Sequence, residues 1–306
     1  MPSISAILSR PRPVLGLAMA LAGALLITPD TLLIRLSGLE SWGLTFWRGL
    51  LIGSSLMFLW LVTEGRNAAS QIPCLLTIPA VCILLASTSS TLAFNFATIE
   101  TSITVVLTAL ATAPVLAAGL SFLILREAAP MRTWFAIAFT MLGAFIVIFH
   151  GDGAQHAPQG NVWMGGALGV LAALSMAFIF VISRRYPNVP VLLASSLGIM
   201  LSGLCGFIVA DSGSILAANM IPVLLMGLIV MPVSWALLAL APRHTSPINV
   251  SLFMLLEMVL GPFWVWLGVG ERPSLEMIGG AALVLATLIV FFLASAREAH
   301  RDRPAA

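Results

Sequence analysis

Thr101 to Glu127 reads TSITVVLTALATAPVLAAGLSFLILRE, and Thr245 to Glu271 reads TSPINVSLFMLLEMVLGPFWVWLGVGE. Each opens on Thr-Ser, runs through about 24 apolar and small residues, and ends on Glu. Aligned without a gap, the two stretches share Thr101/Thr245, Ser102/Ser246, Val106/Val250, Val115/Val259, Leu116/Leu260, Leu123/Leu267 and Glu127/Glu271, seven matches in 27 positions. That is more than apolar composition alone would usually give. A repeat constrains architecture before any local pattern does, and this one implies that half of the chain is a copy of the other half.

The rest of the sequence is built in the same manner. Of 306 residues 60% are apolar and 8% charged, and the mean hydropathy is +1.07. Soluble domains carry about 25% charged residues, so a soluble fold is excluded. The apolar residues fall in runs of about 20, the length that spans the hydrocarbon core of a bilayer. Ten such runs are expected: 14–36, 41–62, 72–97, 102–124, 131–149, 161–183, 191–210, 217–241, 246–268 and 273–294. The fold expected is all-α and integral to the membrane. Its parts are an N-terminal segment (1–13), a first five-helix repeat (14–149), an outer linker (150–160), a second repeat (161–294) and a tail (295–306). Between the runs lie short turns such as Glu64-Gly65-Arg66-Asn67, Arg126-Glu127 and Arg243-His244, too short for a soluble domain. Ala20-Leu21-Ala22 mimics a signal-peptidase site, but the apolar run continues past it, so an uncleaved first helix is expected.

Arginine fixes the expected orientation, because cytoplasmic loops retain cations. With the N-terminus inside, the inside segments hold eleven Arg residues, and the outside segments hold only Arg35 and Arg272. Both termini are therefore expected in the cytoplasm, in a bacterial-type inner membrane. Five spans per repeat is an odd number, so the second repeat must insert upside down, with Glu127 inside and Glu271 outside. Inverted-topology repeats are a transporter device, with the substrate site near the midplane between them.

With this pattern in place the chain resembles a known family. Phe46-Trp47-Arg48-Gly49 in the second span, Ala113-Pro114 inside the fourth, and a Glu just after the fourth and ninth spans are similar to the drug/metabolite transporter superfamily. So are Gly143 and Gly279-Gly280 in the small-residue helices that follow. Within it the resemblance is to the EamA-type ten-helix exporters, nearest the amino-acid and aromatic amino-acid exporters, and it covers nearly the whole chain. It implies an export function and a structural role for Arg48. One departure is that Met258 stands where the first repeat has Pro114, so kinks in the two halves need not be symmetric.

Ionisable groups inside a span cost roughly 2.5–3.5 kcal/mol on insertion scales and are functional candidates by default. Asp30 and Arg48 lie at similar depth near the outer ends of the first two spans, so they can pair. They form either a structural lock or an outer-rim site for a zwitterion. Glu257 stands at the middle of the ninth span, where it either couples transport to protons or shapes a cavity as a neutral acid. Ser87, Thr91, Asn95 and Thr98 share one face of the third span, and Thr101, Thr104, Thr108 and Thr112 a comparable face of the fourth. These stripes either line a cavity, with Asn95 the foremost cavity residue, or bind helices to one another. Trp235 and Trp163 are the aromatic-lining candidates, and the other Trp residues fit interfacial belts. Kinks at Pro29 and Pro232 free backbone carbonyls that could receive an ammonium group.

The function expected is a secondary transporter that exports small amphipathic metabolites, amino acids first, by alternating access. No phosphate-binding loop is present, so protons, substrate gradients or voltage supply the drive. A drug or nucleotide-sugar carrier is the alternative. An enzyme is not expected, since His150, His156, His244 and His300 all fall outside the spans; nor is a channel, since no ring of charges is visible. No cofactor, metal or nucleic acid is expected. The partners are the bilayer and an amino-acid-like substrate, and the chain is expected to be a monomer or weak homo-oligomer. Cys74, Cys82 and Cys205 are scattered and have no metal-ligand spacing.

Overall fold

The computed structural model describes residues 13–39, 41–100, 103–149, 161–210, 219–270 and 274–301. They form an all-helical membrane protein. Nine helices among them are long and apolar enough to cross a bilayer, and the segment expected as the fifth span is a shorter apolar helix, Met131–Phe149. In chain order the helices are α1 (Pro13–Ser37), α2 (Ser41–Glu64), α3 (Ile78–Glu100), α4 (Val105–Leu125), α5 (Met131–Phe149), α6 (Val162–Arg185), α7 (Val191–Val209), α8 (Met220–Arg243), α9 (Pro247–Val269) and α10 (Leu275–Arg301). The third span begins at Ile78 rather than at residue 72, because residues 65–76 make short helical turns between α2 and α3. The repeat's opening residues Thr101 and Ser102, its closing Glu271, and the linker 150–160 lie outside the described residues.

Local chemistry sets the ends. Asn161 caps α6 by accepting from the amides of Trp163 and Met164. Ser246 caps α9 by accepting from Asn249, with Pro247 in the first turn, where its missing N–H costs nothing. The C-termini of α4 and α9 both close on a left-handed residue, Arg126 (φ 57°) and Gly270 (φ 85°). These two positions are equivalent in the sequence repeat. Glycine tolerates that conformation freely, whereas arginine bears a steric cost of about 1–2 kcal/mol.

Three helices are interrupted inside the bilayer. α1 breaks at Thr28-Pro29, α4 at Ala111-Thr112 before Pro114, and α8 passes through a π-helical turn, Met226–Val230, before Pro232. These three interruptions lie at or just ahead of a proline, whose ring cannot donate to the preceding turn, whereas α4 also ends on a π-helical turn, Ser121–Leu125, with no proline beside it. Pro79 and Pro222 instead sit in first helical turns, and α9 runs unbroken through Pro262. The kinks of α4 and α9 are thus asymmetric, as the Met258 departure implied.

The interior is made of small side chains. α2 crosses α7 where a Cβ at Gly49 would meet the Gly203 backbone, and α5 crosses α10 where a Cβ on Gly143 would lie 2.8 Å from the Gly280 oxygen. Small residues let helix backbones approach when no hydrophobic force separates helix from lipid. Large apolar residues such as Phe58, Phe122, Leu123 and Leu267 point outward. The main packings are α2–α7, α5–α10, α4–α9, α3–α6, α1–α8, α4–α6, α1–α9, α3–α7 and α2–α8. Exchanging each helix for the one five places along maps that set onto itself. Weaker contacts depart from the pattern, α5–α9 among them.

Candidate functional site

The break in α1 makes room for polar groups. Pro29 offers no N–H, and the chain turns at Thr28, whose hydroxyl donates to the Leu25 carbonyl at 2.8 Å. The carbonyl freed by the proline is therefore already engaged, which corrects the expectation that it would receive an ammonium group. Trp264 of α9 donates its indole N–H to the Thr28 oxygen at 2.8 Å. This tryptophan, expected in an interfacial belt, instead ties α9 to the break.

Asp30 follows at once and is buried. Arg48 of α2 donates to its Oδ2 at 2.8 Å, the pairing expected from depth alone. The same guanidinium reaches the sulfurs of Met226 (3.6 Å) and Met231 (3.8 Å), at the two ends of the π-helical turn of α8. Thioethers are weak, polarizable acceptors, so they engage two further N–H groups without adding charge. Asp30 Oδ1 has no partner among the described residues. Glu257 of α9 feels the charges of both Asp30 and Arg48. It is half-buried and makes no hydrogen bond or ion pair among the described residues. Asp30 of α1 and Arg48 of α2 thus form a pair, and Glu257 of α9 lies close enough to act electrostatically with both. Their sequence separation concealed the grouping with Glu257, and nothing in the chain pointed to the two methionines.

The polar stripes are used differently from the cavity reading. Asn95 is 5% exposed, and its amide donates to Thr45 of α2 at 2.7 Å. Ser87 is buried beside Gly198 of α7, and the neighbouring Thr88 donates to the Gly198 carbonyl at 2.9 Å. Thr91 donates within its own helix to Ser87. Thr112 donates to Ala109 at the break of α4, and Thr108 keeps a buried hydroxyl without a partner among the described residues. The side chains of Thr98 and Thr104, and all of Thr101, lie outside the described residues. In lipid a hydroxyl or amide finds no water, so it bonds the nearest backbone or side chain. Within the α3 stripe Asn95 bonds across to another helix, whereas the buried Ser87 hydroxyl has no partner among the described residues.

The tryptophans also divide unexpectedly. Trp163 is 89% exposed in the first turn of α6. Trp235 is buried, its ring 6.2 Å from that of Phe180, and its N–H is unpartnered among the described residues. Trp60, assigned to a belt, is buried and donates to Gln71 at 2.9 Å. His244, in the turn between α8 and α9, is buried and packs against Gly16 of α1.

A cavity of about 710 Å³ opens at the end of the bundle where α2, α4, α6 and α8 finish and α7 begins. Its wall carries Glu64, Glu127, Arg184, Arg185 and Arg243 beside Trp60, Leu125 and Leu240. None of the cavity residues expected from sequence lines it. Arg184 bonds Glu127 at 3.3 Å, the Pro242 carbonyl at 3.3 Å and the Thr245 carbonyl at 3.1 Å. Arg243 donates to the Val189 carbonyl at 2.8 Å. The C-terminus of α4 thus shares one end of the bundle with the N-terminus of α9. The 23 residues of α9 then carry the chain about 35 Å away at 1.5 Å per residue, so Gly270 is at the opposite end.

No family model and no curated protein matches this chain. A solved structure described only as "Crystal structure of protein" shares its fold. The TM-score is 0.72 over 92% of this chain and 98% of that one, at 15% identity.

Proposed function

We propose that this chain is a secondary transporter that exports small amphipathic metabolites, amino acids foremost, as the EamA-type members of the drug/metabolite transporter superfamily do. Its halves are inverted copies, α5 is the tenth span, and both termini face the cytoplasm of a bacterial-type inner membrane. Three features support the inversion: the exchange symmetry of the helix packings, the equivalent left-handed ends at Arg126 and Gly270, and the opposite placement of those ends. The observation that carries the transport reading is the buried Asp30–Arg48 pair with Glu257 in electrostatic range of it. Charge inside a bilayer is costly, and a residual carboxylate between two halves is what a cationic passenger needs. Glu257 accepts the ammonium of the substrate or a proton that replaces it, and rocking of the halves exposes it to each side in turn. No covalent step is proposed.

A nucleotide-sugar carrier is disfavoured, because its phosphates would want free buried cations and Arg48 is already paired to Asp30. The test is counterflow of labelled phenylalanine, leucine and threonine in proteoliposomes, with and without a proton gradient. Glu257→Gln should slow exchange about tenfold or more, the scale of a lost charge-assisted contact, with folding intact. Undiminished exchange by the folded variant would remove Glu257 from the site. A wild-type protein that moves none of the three amino acids would remove the substrate assignment.

A further inference from the structure

The cavity at the arginine-rich end lies far from the Asp30–Arg48–Glu257 junction and is not needed to explain it. Its volume of about 710 Å³ is that of a small-molecule site, which typically spans about 300–1,000 Å³. Three guanidinium groups line it, those of Arg184, Arg185 and Arg243, and the first and last are not fully engaged. Arg184 spends its terminal nitrogens on Glu127, Pro242 and Thr245, and Arg243 donates one to Val189. In both residues the Nε–H is buried and has no acceptor among the described residues. A buried donor without an acceptor costs about 1–3 kcal/mol, and a guanidinium edge is shaped to hold a carboxylate by two parallel bonds. Facing them, Glu64 acts electrostatically on Arg243 and makes no hydrogen bond or ion pair among the described residues. The rest of the wall mixes apolar side chains, Trp60, Leu125 and Leu240 among them, with the polar Thr63, Gln71 and Asn188.

We propose that this cavity is a second binding site, a vestibule that takes small carboxylates with an apolar body, with Arg184 and Arg243 as the anion-binding pair. An acid held there waits at the end of the bundle that the arginine distribution assigns to the cytoplasm, ahead of the midplane junction. Glu64 weakens the hold by opposing the carboxylate, which keeps the site fast to release. The vestibule's place in transport rests on the proposed function, whereas its chemistry does not.

Binding of labelled hydrocinnamate, a carboxylate without an ammonium, is measured on the full-length protein in nanodiscs of zwitterionic lipid. Phenethylamine, which lacks the carboxylate, serves as competitor. Arg243→Gln should weaken hydrocinnamate about tenfold, whereas Glu64→Gln should tighten it about twofold or more, a like charge having been removed. Opposite signs are not what a general loss of packing produces, and Glu64→Gln alone decides the matter if Arg243→Gln does not fold. Phenethylamine should not compete. Unchanged affinity in Glu64→Gln, equal competition by phenethylamine, or no hydrocinnamate binding would overturn the site. So would loss of hydrocinnamate binding when phosphatidylglycerol is added to the disc, which would assign the pair to a lipid phosphate. In oriented proteoliposomes Arg243→Gln should raise KM for phenylalanine on the arginine-rich side alone, and an equal rise on both sides would also overturn it. A wild-type protein that binds hydrocinnamate but transports no amino acid would sink the transport reading and leave the vestibule standing.

Discussion

Arg48 shows how one side chain is held where solvation cannot reach it. Its pair with Asp30 at 2.8 Å and the two methionine sulfurs engage three of its five N–H donors within the apolar interior. Arg48→Ala strips Asp30 of its counter-charge and should cost about 3–5 kcal/mol, the scale for an orphaned buried ion. The measurement is the yield of monodisperse protein in detergent, expected to fall well below wild type, with recovery when Asp30→Asn is added. Asn95 tells the opposite story. Bonded to Thr45 and 5% exposed, it belongs to the seam between α2 and α3. Asn95→Ala should therefore lower thermal stability by about 0.6–2 kcal/mol, and the transport rate per folded molecule should stay near wild type. A selective loss of transport at unchanged Tm would return Asn95 to the cavity. Both residues were visible as intramembrane polar groups. The ion pair was legible because similar depth brings opposite charges together; the fate of Asn95 was not, because its partner lies 50 positions away.

Helices meet here on glycine, and adjacent positions differ sharply. A Cβ on Gly280 would press within 2.9 Å of Ile146 and 2.8 Å of the Gly143 oxygen, whereas one on Gly279 would meet nothing within 4 Å. Gly280→Val should reduce folded yield severely, because overpacking a seam typically costs about 1–3 kcal/mol, and Gly279→Val should be tolerated. Fluorescence-detected size-exclusion profiles of the two variants read this directly, and equal behaviour would contradict the α5–α10 crossing. Sequence could mark both glycines as small-residue packing but not choose between them, since only the rotation of α10 about its axis decides which one faces α5. The helix breaks were easier to foresee at Pro29, Pro114 and Pro232. Pro262 carried the same local signal without a break.

Across the whole molecule the repeat makes a topological demand. In a background lacking Cys74, Cys82 and Cys205, Glu127→Cys and Gly270→Cys should react with a membrane-impermeant maleimide from opposite sides. Labelling of both from one side would end the inverted arrangement and the midplane site with it. Glu127 and Glu271 were expected to separate because five spans is an odd number, and the described helices separate Glu127 from Gly270 for a concrete reason. Arg184 gathers Glu127 and Thr245 at one end, and unbroken α9 runs to the other.

What the chain determines by itself is its class, its segmentation and its internal kinship. Those follow from composition and from periodic features that each stretch carries locally, since a run of about 20 apolar residues is a statement about lipid thickness wherever it stands. Tertiary structure decided which polar groups face one another. It brought Glu257 within electrostatic range of the Asp30–Arg48 pair, set Met226 and Met231 around a guanidinium, and tied Asn95 of α3 to Thr45 of α2. Helices of similar hydropathy can rotate about their axes at little cost in lipid, so burial alone does not choose their faces. The close fit of glycine seams and the need to satisfy every polar group away from water do.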